Sequence, residues 1–271
     1  PIIMVTALGD QKSRERGLAI GIEEFLTKPF ISNELQIRVR NLLRLKLAND
    51  TLANLNKKLD EKVSERTNEL QLATEESIYM LMRAAEYRDD ETGQHVKRIS
   101  YYCKYLAKSL GMDKTFCDTI FLASPMHDAG KIGIPDHILL KKGRLEPDEW
   151  EIMKTHTTIG AKILTGEVSS PYIEMGKEIA LCHHERWDGT GYPNGLQGEA
   201  IPLSARIMSI CDVYDALRSE RPYKKAFSHK TAVDIIKHGD DRINEGHFDP
   251  TLKAKFVAYH QVFEKIFEQT S

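Results

Sequence analysis

The segment from Leu42 to Met82 contains no glycine or proline and consists largely of leucine, asparagine, lysine and glutamate. A stretch of this length without a helix breaker is predicted to form one long helix. Apolar residues recur on it at seven-residue spacing with one four-residue step, at Leu45, Leu52, Leu59, Val63 and Leu70, with Ala48 and Leu55 between them and Ser77 at the end. Heptad spacing favours a short parallel coiled coil and therefore a homodimer. The alternative is a single amphipathic helix packed on the rest of the chain.

The residues before this helix follow an alternating strand and helix pattern. Residues 1–7 form a β-branched run typical of a buried parallel strand, a helical stretch covers residues 14–19, and a second strand-like run covers residues 24–27. Lys28-Pro29-Phe30 and an amphipathic helix from about Asn33 come next. This order resembles the C-terminal half of a response-regulator receiver domain, in which Thr6 and Lys28 match residues that contact the phosphoryl group. The alternative is a structural α/β remnant.

The receiver resemblance is partial. The aspartate-bearing strand and the acidic magnesium cluster of that family are not in this sequence. Phosphoryl acceptance by this chain is therefore not expected, and a cognate histidine kinase is expected as a partner only if a complete receiver domain exists.

Amphipathic helical patterns dominate the chain after about Arg83, with one glycine-rich stretch from Asp188 to Gly198. A chain of 271 residues with 41% hydrophobic residues can bury a sizeable core. We predict a mainly α protein with three parts: a partial α/β receiver-like segment at 1–44, a coiled-coil linker helix at 45–82 and an all-helical domain at 83–271.

Charge and composition narrow the class of function and the compartment. The formal net charge of -2 excludes a strongly basic binder of nucleic acid polymers, although a small anionic ligand such as a nucleotide stays possible. The four cysteines form no C-x-x-C pair and lie in apolar or helical stretches, as expected for reduced, buried thiols. No apolar run is long enough to span a bilayer, and residue 1 is not followed by a signal-peptide pattern. We expect a cytoplasmic location without membrane partners.

Histidine and carboxylate residues are clustered. Five of the ten histidines lie close in sequence to acidic residues or to each other: His95, His127, His156, His183 and His184. Glu91 lies four residues before His95, so both side chains share one helix face, while Asp128 directly follows His127. Asp212 and Asp215 lie three apart in an apolar helix, where an unpartnered carboxylate is costly. Each pair alone could be structural, but together they form a nitrogen and oxygen ligand set suited to iron, manganese or zinc, and large enough for two ions.

The motifs around these residues resemble one known family. His127-Asp128-x-Gly130-Lys131, followed by Lys154-x-His156, resembles the HD phosphohydrolase superfamily. The run from His183 to Pro193, HHERWDGTGYP, resembles its HD-GYP branch, and DVYDAL at 212–217 with RPYK at 221–224 continues the match. The resemblance covers about residues 83–250 and implies an all-helical HD-GYP domain.

The resemblance implies a role for individual residues. The implied metal ligands are His95, His127, Asp128, His156, His183, His184 and Asp212, with Asp128 bridging two ions and acting in catalysis. Glu91 stands where some members hold a third ion, so two or three divalent ions are expected, with iron or manganese favoured. The implied substrate contacts are Lys131, which is also catalytic, Tyr192, Asp215, Arg221 and Lys224. Asp136 and Asp188 are candidate partners for ligand histidines.

By the same resemblance, the expected reaction is hydrolysis of c-di-GMP to linear pGpG and further to GMP. Metal ions would clamp the phosphodiester oxygens and lower the pKa of the attacking water. Two alternatives remain open: a catalytically silent c-di-GMP receptor or scaffold, and a phosphodiesterase for another cyclic dinucleotide such as cyclic GMP-AMP. The loop at Gly191-Tyr192-Pro193 either only shapes a turn or contacts substrate or a diguanylate cyclase (GGDEF) domain.

Overall fold

The computed structural model describes residues 1–7, 11–87, 93–166, 170–220 and 225–270. The chain divides into two compact units, Pro1–Leu72 and Ala73–Ser271. The prediction of a mainly α protein is confirmed, since the described residues contain eleven α-helices and two short strands. Domain limits at 44/45 and 82/83 stay predictions, because one continuous helix passes through both positions.

The first unit contains a two-stranded parallel sheet. Strand β1 (Ile3–Thr6) pairs with β2 (Glu24–Thr27) in a register that sets Ile3 opposite Glu24, and helix α1 (Gln11–Ala19) lies between them in the chain. The amide of Lys28 extends the ladder by donating to the carbonyl of Thr6. Strand and helix order agree with the expected receiver-like pattern.

Helix α2 (Ser32–Glu86) is longer than the predicted linker helix, because no breaker separates the helix expected from about Asn33 from the heptad segment. The apolar residues of the heptad pattern are exposed; Leu45, Leu52 and Leu59 each keep more than half of their surface accessible. Both the coiled coil and the packed amphipathic helix stay predictions. Further along, Ile78 and Tyr79 of the same helix are buried.

The second unit is a bundle of helices around an aromatic core. Its longer helices are α3 (Gly93–Ser109), α4 (Lys114–Ala123), α8 (Pro171–Cys182), α9 (Leu203–Arg218), α10 (His229–His238) and α11 (Pro250–Gln269). Shorter helices are α5 (Asp136–Leu139), α6 (Pro147–Lys154) and α7 (His156–Ile163). Tyr102, Tyr214, Phe256 and Phe263 are fully buried and in ring contact, with centroids 4.9 to 5.5 Å apart. Each such ring contributes about 1.5–3 kcal/mol by burial, so this cluster holds α3, α9 and α11 together.

The last helix begins at an aspartate followed by a proline. Asp249 caps α11 by accepting hydrogen bonds from the amides of Thr251 and Leu252, and Pro250 occupies the first helical position. The other carboxylate oxygen of Asp249 lies 2.6 Å from the Arg206 guanidinium on α9. One aspartate thus caps α11 and anchors it to α9.

All four cysteines are buried and free, as the sequence led us to expect for thiols. Among the described residues, no helix combines the length and apolar character needed to cross a bilayer.

Candidate functional site

Five separate elements of the second unit bring the predicted ligands together. His95 lies in the first turn of α3, His156 opens α7, and Asp212 lies in α9. His127 and Asp128 form the junction between two 3-10 turns, Ser124–Met126 and Ala129–Gly133, while His183 and His184 directly follow α8. These ligands lie at a helix end or in a turn, except Asp212, which lies within α9.

The side chains form two groups whose potential ligand atoms lie within 4.8 Å of one another. The first comprises Asp128, His156, His183 and His184, and the second comprises His95, His127 and Asp212. Asp128 faces both: its Oδ1 lies 3.4 Å from His156 Nε2 and 3.6 Å from His183 Nε2, while its Oδ2 lies 3.2 Å from His127 Nε2. A carboxylate with one oxygen towards each group can bridge two ions.

Backbone carbonyls orient three of the imidazoles. The Nδ1 atoms of His127, His156 and His183 lie 3.1, 2.8 and 3.0 Å from the carbonyl oxygens of Ser124, Met153 and Ile179. Because a carbonyl can only accept, each Nδ1 carries the hydrogen and each Nε2 presents its lone pair to the centre of the site. This is the arrangement that metal-ligating histidines adopt.

The site contains buried polar atoms that no described residue satisfies. Nε2 of His127, His156 and His183 and Oδ1 of Asp128 are buried without a hydrogen-bond partner among the described parts of the chain. Leaving such a group unsatisfied costs about 1–3 kcal/mol. Three of these atoms belong to the group that contains Asp128, and His127 Nε2 belongs to the other group. Unsatisfied atoms in both groups fit bound divalent cations, and the mixed nitrogen and oxygen donors suit iron, manganese or zinc rather than calcium.

The protonation states of His156, His184 and Asp128 favour metal binding. At His127, burial lowers the pKa but Asp128 raises it more, to about 9, so this ring must release a proton when it binds a metal. Burial lowers the pKa of His156 to about 4, and burial together with His183 and His156 lowers the pKa of His184 well below its ordinary value. Both rings are therefore neutral at pH 7, the form that ligates metals. Burial raises the pKa of Asp128, but Lys131 and His127 lower it more strongly, so the net pKa lies well below the ordinary value and the carboxylate is ionised.

At Gly130, the backbone that follows Asp128 lies very close to the backbone of α7. A Cβ atom at this position would lie 1.9 Å from the carbonyl oxygen of His156 and 2.4 Å from the amide nitrogen of Gly160. Only glycine therefore lets the 3-10 turn after Asp128 lie directly against α7. This contact sets the position of His156 relative to Asp128.

A cavity of about 800 Å³ opens beside the ligands. Asp128, Lys131, His156, His184, Tyr192 and Asp212 line it, and its size is in the range of small-ligand pockets. Lys131 Nζ lies 2.9 Å from Asp128 Oδ2, and the Tyr192 ring stacks on His184 with centroids 4.8 Å apart. These two predicted substrate residues therefore lie beside the ligands and the open space.

Of five further predicted residues, the structure describes two, Asp136 and Asp188. Glu91, Arg221 and Lys224 lie outside the described residues. Asp188 bonds to Thr190 and Asn244 rather than to a histidine, and Asp136 is exposed at the start of α5.

The expected contact of Asp215 with substrate stays a prediction, and the surroundings of its side chain differ from those of Asp212. Its carboxylate is fully buried and paired with His95 and Arg98, and it does not line the cavity. The motif groups Asp215 with Asp212, but three residues along a helix leave about 60° between the directions of the two side chains. Asp212 faces the cavity and Asp215 faces the protein interior.

Sequence reasoning missed other residues that line the cavity. They are Trp150, Arg186, Asp240, Arg242 and His247. These residues do not occur at the sequence spacing typical of metal ligands, and only the folding of the chain brings them together around one cavity. Trp150 and Tyr192 lie edge to face with centroids 5.9 Å apart, so the wall offers aromatic surface as well as charge.

Glu185 was also missed, and it organises the glycine-rich loop. The side chain is buried, its Oε1 accepts from the amide of Asn194 at 2.8 Å, and its Oε2 accepts from the amide of Leu196 at 3.0 Å. The amide of Tyr192 donates to the carbonyl of His184 at 3.2 Å. The sequence signal that could have found this clamp is an acidic residue directly before a glycine-rich loop, whose amides need acceptors. The clamp holds Tyr192 over His184.

Glu185→Ala is expected to loosen the loop, because two amides lose their carboxylate acceptor. Hydrogen exchange at Asn194 and Leu196 should accelerate by about tenfold or more, and the free energy of unfolding should fall by about 1–3 kcal/mol. Amide exchange followed by NMR or mass spectrometry measures this directly. Glu199→Ala, which removes an exposed carboxylate after the same loop, serves as the control and should leave exchange unchanged. Equal protection in both variants would show that Glu185 does not hold the loop.

Comparisons with known proteins agree with this geometry. The profile of a family described as HD domain matches residues 79–252. The cyclic di-GMP phosphodiesterase response regulator RpfG of Xanthomonas campestris pv. campestris is 41% identical over 271 residues, which cover 100% of this chain and 70% of that protein. The 3'3'-cGAMP-specific phosphodiesterase 2 of Vibrio cholerae is 38% identical over 90% of this chain, which spans 42% of that protein.

A solved structure shares the fold. A crystal structure described as a cyclic GMP-AMP specific phosphodiesterase of V. cholerae superposes with a TM-score of 0.53 at 19% identity, covering 73% of this chain and 50% of that chain. The likeness concerns the arrangement of helices.

Proposed function

The chain belongs to the HD domain family, and from this premise we propose that it is a metal-dependent cyclic dinucleotide phosphodiesterase that hydrolyses c-di-GMP to pGpG and then to GMP. The observation that carries the proposal is the position of Asp128, whose two carboxylate oxygens face two separate groups of potential ligands. The substrate class is supported by the relatives, among them a response regulator named as a cyclic di-GMP phosphodiesterase.

The proposed ligands follow the two groups. Asp128, His156, His183 and His184 would hold one ion, and Asp128, His95, His127 and Asp212 would hold the other. Glu91 is proposed to serve a third ion. Iron and manganese are the proposed metals, because neutral imidazoles and carboxylates suit them. When bound, such ions polarise the phosphodiester and lower the pKa of the water that attacks phosphorus.

The chain's own side chains would orient substrate and move a proton. Lys131 Nζ, 2.9 Å from Asp128, lies where the scissile phosphate would approach the ligands, so we assign it contact with that phosphate. Lys131 is also our candidate for protonating the leaving 3'-oxygen. Tyr192 would contact the dinucleotide at the cavity wall, and Arg221 and Lys224 would hold its phosphates.

A second candidate substrate is cyclic GMP-AMP. The specific observation in its favour is the 38% identity to a relative named as specific for 3'3'-cGAMP. Both dinucleotides present the same phosphodiester to the ligands, so the chemistry would be identical. Contacts of the cavity wall with the bases would decide between them.

The proposal also covers partners and location. Homodimerisation through α2 is supported by its row of exposed leucines at heptad spacing, which a second helix would bury. Contact of the loop at 191–193 with a diguanylate cyclase (GGDEF) domain, and phosphorelay from a histidine kinase if a full receiver exists, stay proposals. A cytoplasmic location is supported by four free, buried thiols.

Anaerobic purification followed by metal quantification and a time course of products tests the function. We expect two or three iron or manganese ions per chain and conversion of c-di-GMP to pGpG and GMP, with slower turnover of cyclic GMP-AMP. Chelation should stop turnover, and reloading with Mn²⁺ should restore it. Faster turnover of cyclic GMP-AMP would move the assignment to the second candidate. A fully metallated protein that binds c-di-GMP without cleaving it would make the chain a receptor instead.

A further inference from the structure

A buried ion pair lies directly behind His95. Asp215 of α9 is fully buried and Arg98 of α3 is 3% exposed. Arg98 Nε lies 2.6 Å from Asp215 Oδ1 and Nη2 lies 2.8 Å from Oδ2, so the guanidinium grips the carboxylate with two parallel hydrogen bonds. Asp215 Oδ2 also lies 2.7 Å from His95 Nδ1. The ion pair is therefore hydrogen-bonded to a proposed metal ligand.

His95 is supported differently from the histidines oriented by carbonyls. A carboxylate in this position can only accept, so His95 Nδ1 donates the hydrogen and Nε2 is left on the side of Asp212, 3.9 Å away. A charged acceptor makes the ring a stronger ligand than a carbonyl does. A fully buried carboxylate, however, is stable only with a cation beside it. Arg98 supplies that cation.

The same network extends to the end of α9. Arg98 Nη2 donates to Ser219 Oγ at 3.2 Å, and the amide of Ser219 donates to the carbonyl of Asp215 at 2.9 Å. On its other side, Arg98 lies over the ring of Phe267 in α11 at 4.8 Å from the centroid. Three helices thus fix the guanidinium in one orientation. Lysine, with a single rotatable ammonium, cannot reproduce the two-pronged grip.

We propose that Arg98 is a positioning residue for the metal centre: by gripping Asp215 it orients His95, and it thereby sets the affinity of the ion held by His95, His127 and Asp212. This inference rests on the proposed metal centre. It assigns Arg98 no contact with substrate. It also gives Asp215 a role in metal binding.

Titration of the metal-free protein with Mn²⁺ alone tests the proposal without any activity measurement. Wild type should bind at least two ions per chain. In Arg98→Lys, one ion should bind about 10–100-fold more weakly, the range seen when a residue supporting a ligand is removed, while the ion at His156 and His183 keeps its affinity. The matched control is Arg206→Lys, which weakens a partly buried pair with Asp249, neither of which belongs to a ligand group. It should lower stability without changing Mn²⁺ affinity.

A double variant protects the test against failure to fold. Arg98→Met combined with Asp215→Asn leaves no unpaired buried charge and should show the same selective weakening of one ion. Unchanged affinity in the double variant and in Arg98→Lys, or an equal loss in Arg206→Lys, would overturn the proposal. Wild type that binds no Mn²⁺ would instead overturn the metal centre itself, so the two failures are distinguishable.

Discussion

Asp128→Ala is expected to abolish turnover of c-di-GMP and to remove both ions together. Its two oxygens face separate ligand groups, so the substitution takes one ligand from each. Loss of a residue that merely supports a ligand already costs about 10–100-fold in metal affinity or activity. We therefore expect turnover to fall by more than about 100-fold. Metal quantification and product chromatography on the same sample measure both effects.

Two further variants serve as comparisons for Asp128→Ala. His156→Ala takes a ligand from only one group, so it should lower the metal content by about one ion. Asp118→Ala removes a half-buried carboxylate that pairs with Lys104, and a pair so accessible to solvent contributes only about 0–1 kcal/mol. It should keep full metal content and activity. If Asp128→Ala retained both ions and activity, the bridging assignment would be wrong.

Gly130→Ala is expected to damage the fold and the metal centre at once. The added Cβ would lie 1.9 Å from the carbonyl oxygen of His156, and backbone cannot move aside as a flexible side chain can. Separating the turn from α7 should lower the free energy of unfolding by about 3 kcal/mol or more. It should also shift His156 away from Asp128 and reduce metal binding. Urea unfolding followed by circular dichroism, with metal quantification, measures the two effects.

The matched control is Gly166→Ala, where a Cβ would meet no atom of the described residues within 4 Å. Its stability should stay within about 0.5 kcal/mol of wild type. Wild-type stability in Gly130→Ala would show that the turn and α7 are not as close as the structure has them.

Local patterns predicted the helices well. The absence of breakers predicted the long helix, and its early start at Ser32 follows from the same rule applied to the residues before Leu42. In α3, the 0% exposed residues Val96, Ile99, Cys103 and Leu106 have the spacing of one helical face. Periodicity could not decide whether the exposed leucines of α2 meet a partner chain, because that pattern describes a face and not what covers it.

Candidate ligands were also visible in the sequence, whereas the roles of the residues around them were not. Histidine and aspartate clusters drew attention to His127, Asp128 and His183, and the structure brings them within ligand distance. Arg98 and Glu185 carried no comparable signal, since an arginine or a glutamate is usually solvated. Arg98 and Glu185 hold their partners in place because both side chains are buried.

The sequence by itself determined which segments are helical and which side chains are chemically able to hold a metal, because both depend on residues close together in the chain. Only the tertiary structure decided which of these side chains meet and what supports them. Arg98 and Asp215 are separated by 117 positions, and their contact exists because α3 and α9 pack on the same aromatic core. The packing of α9 also turned Asp215 inwards and Asp212 towards the cavity. The spacing of the two aspartates in the sequence does not predict which of them faces the cavity.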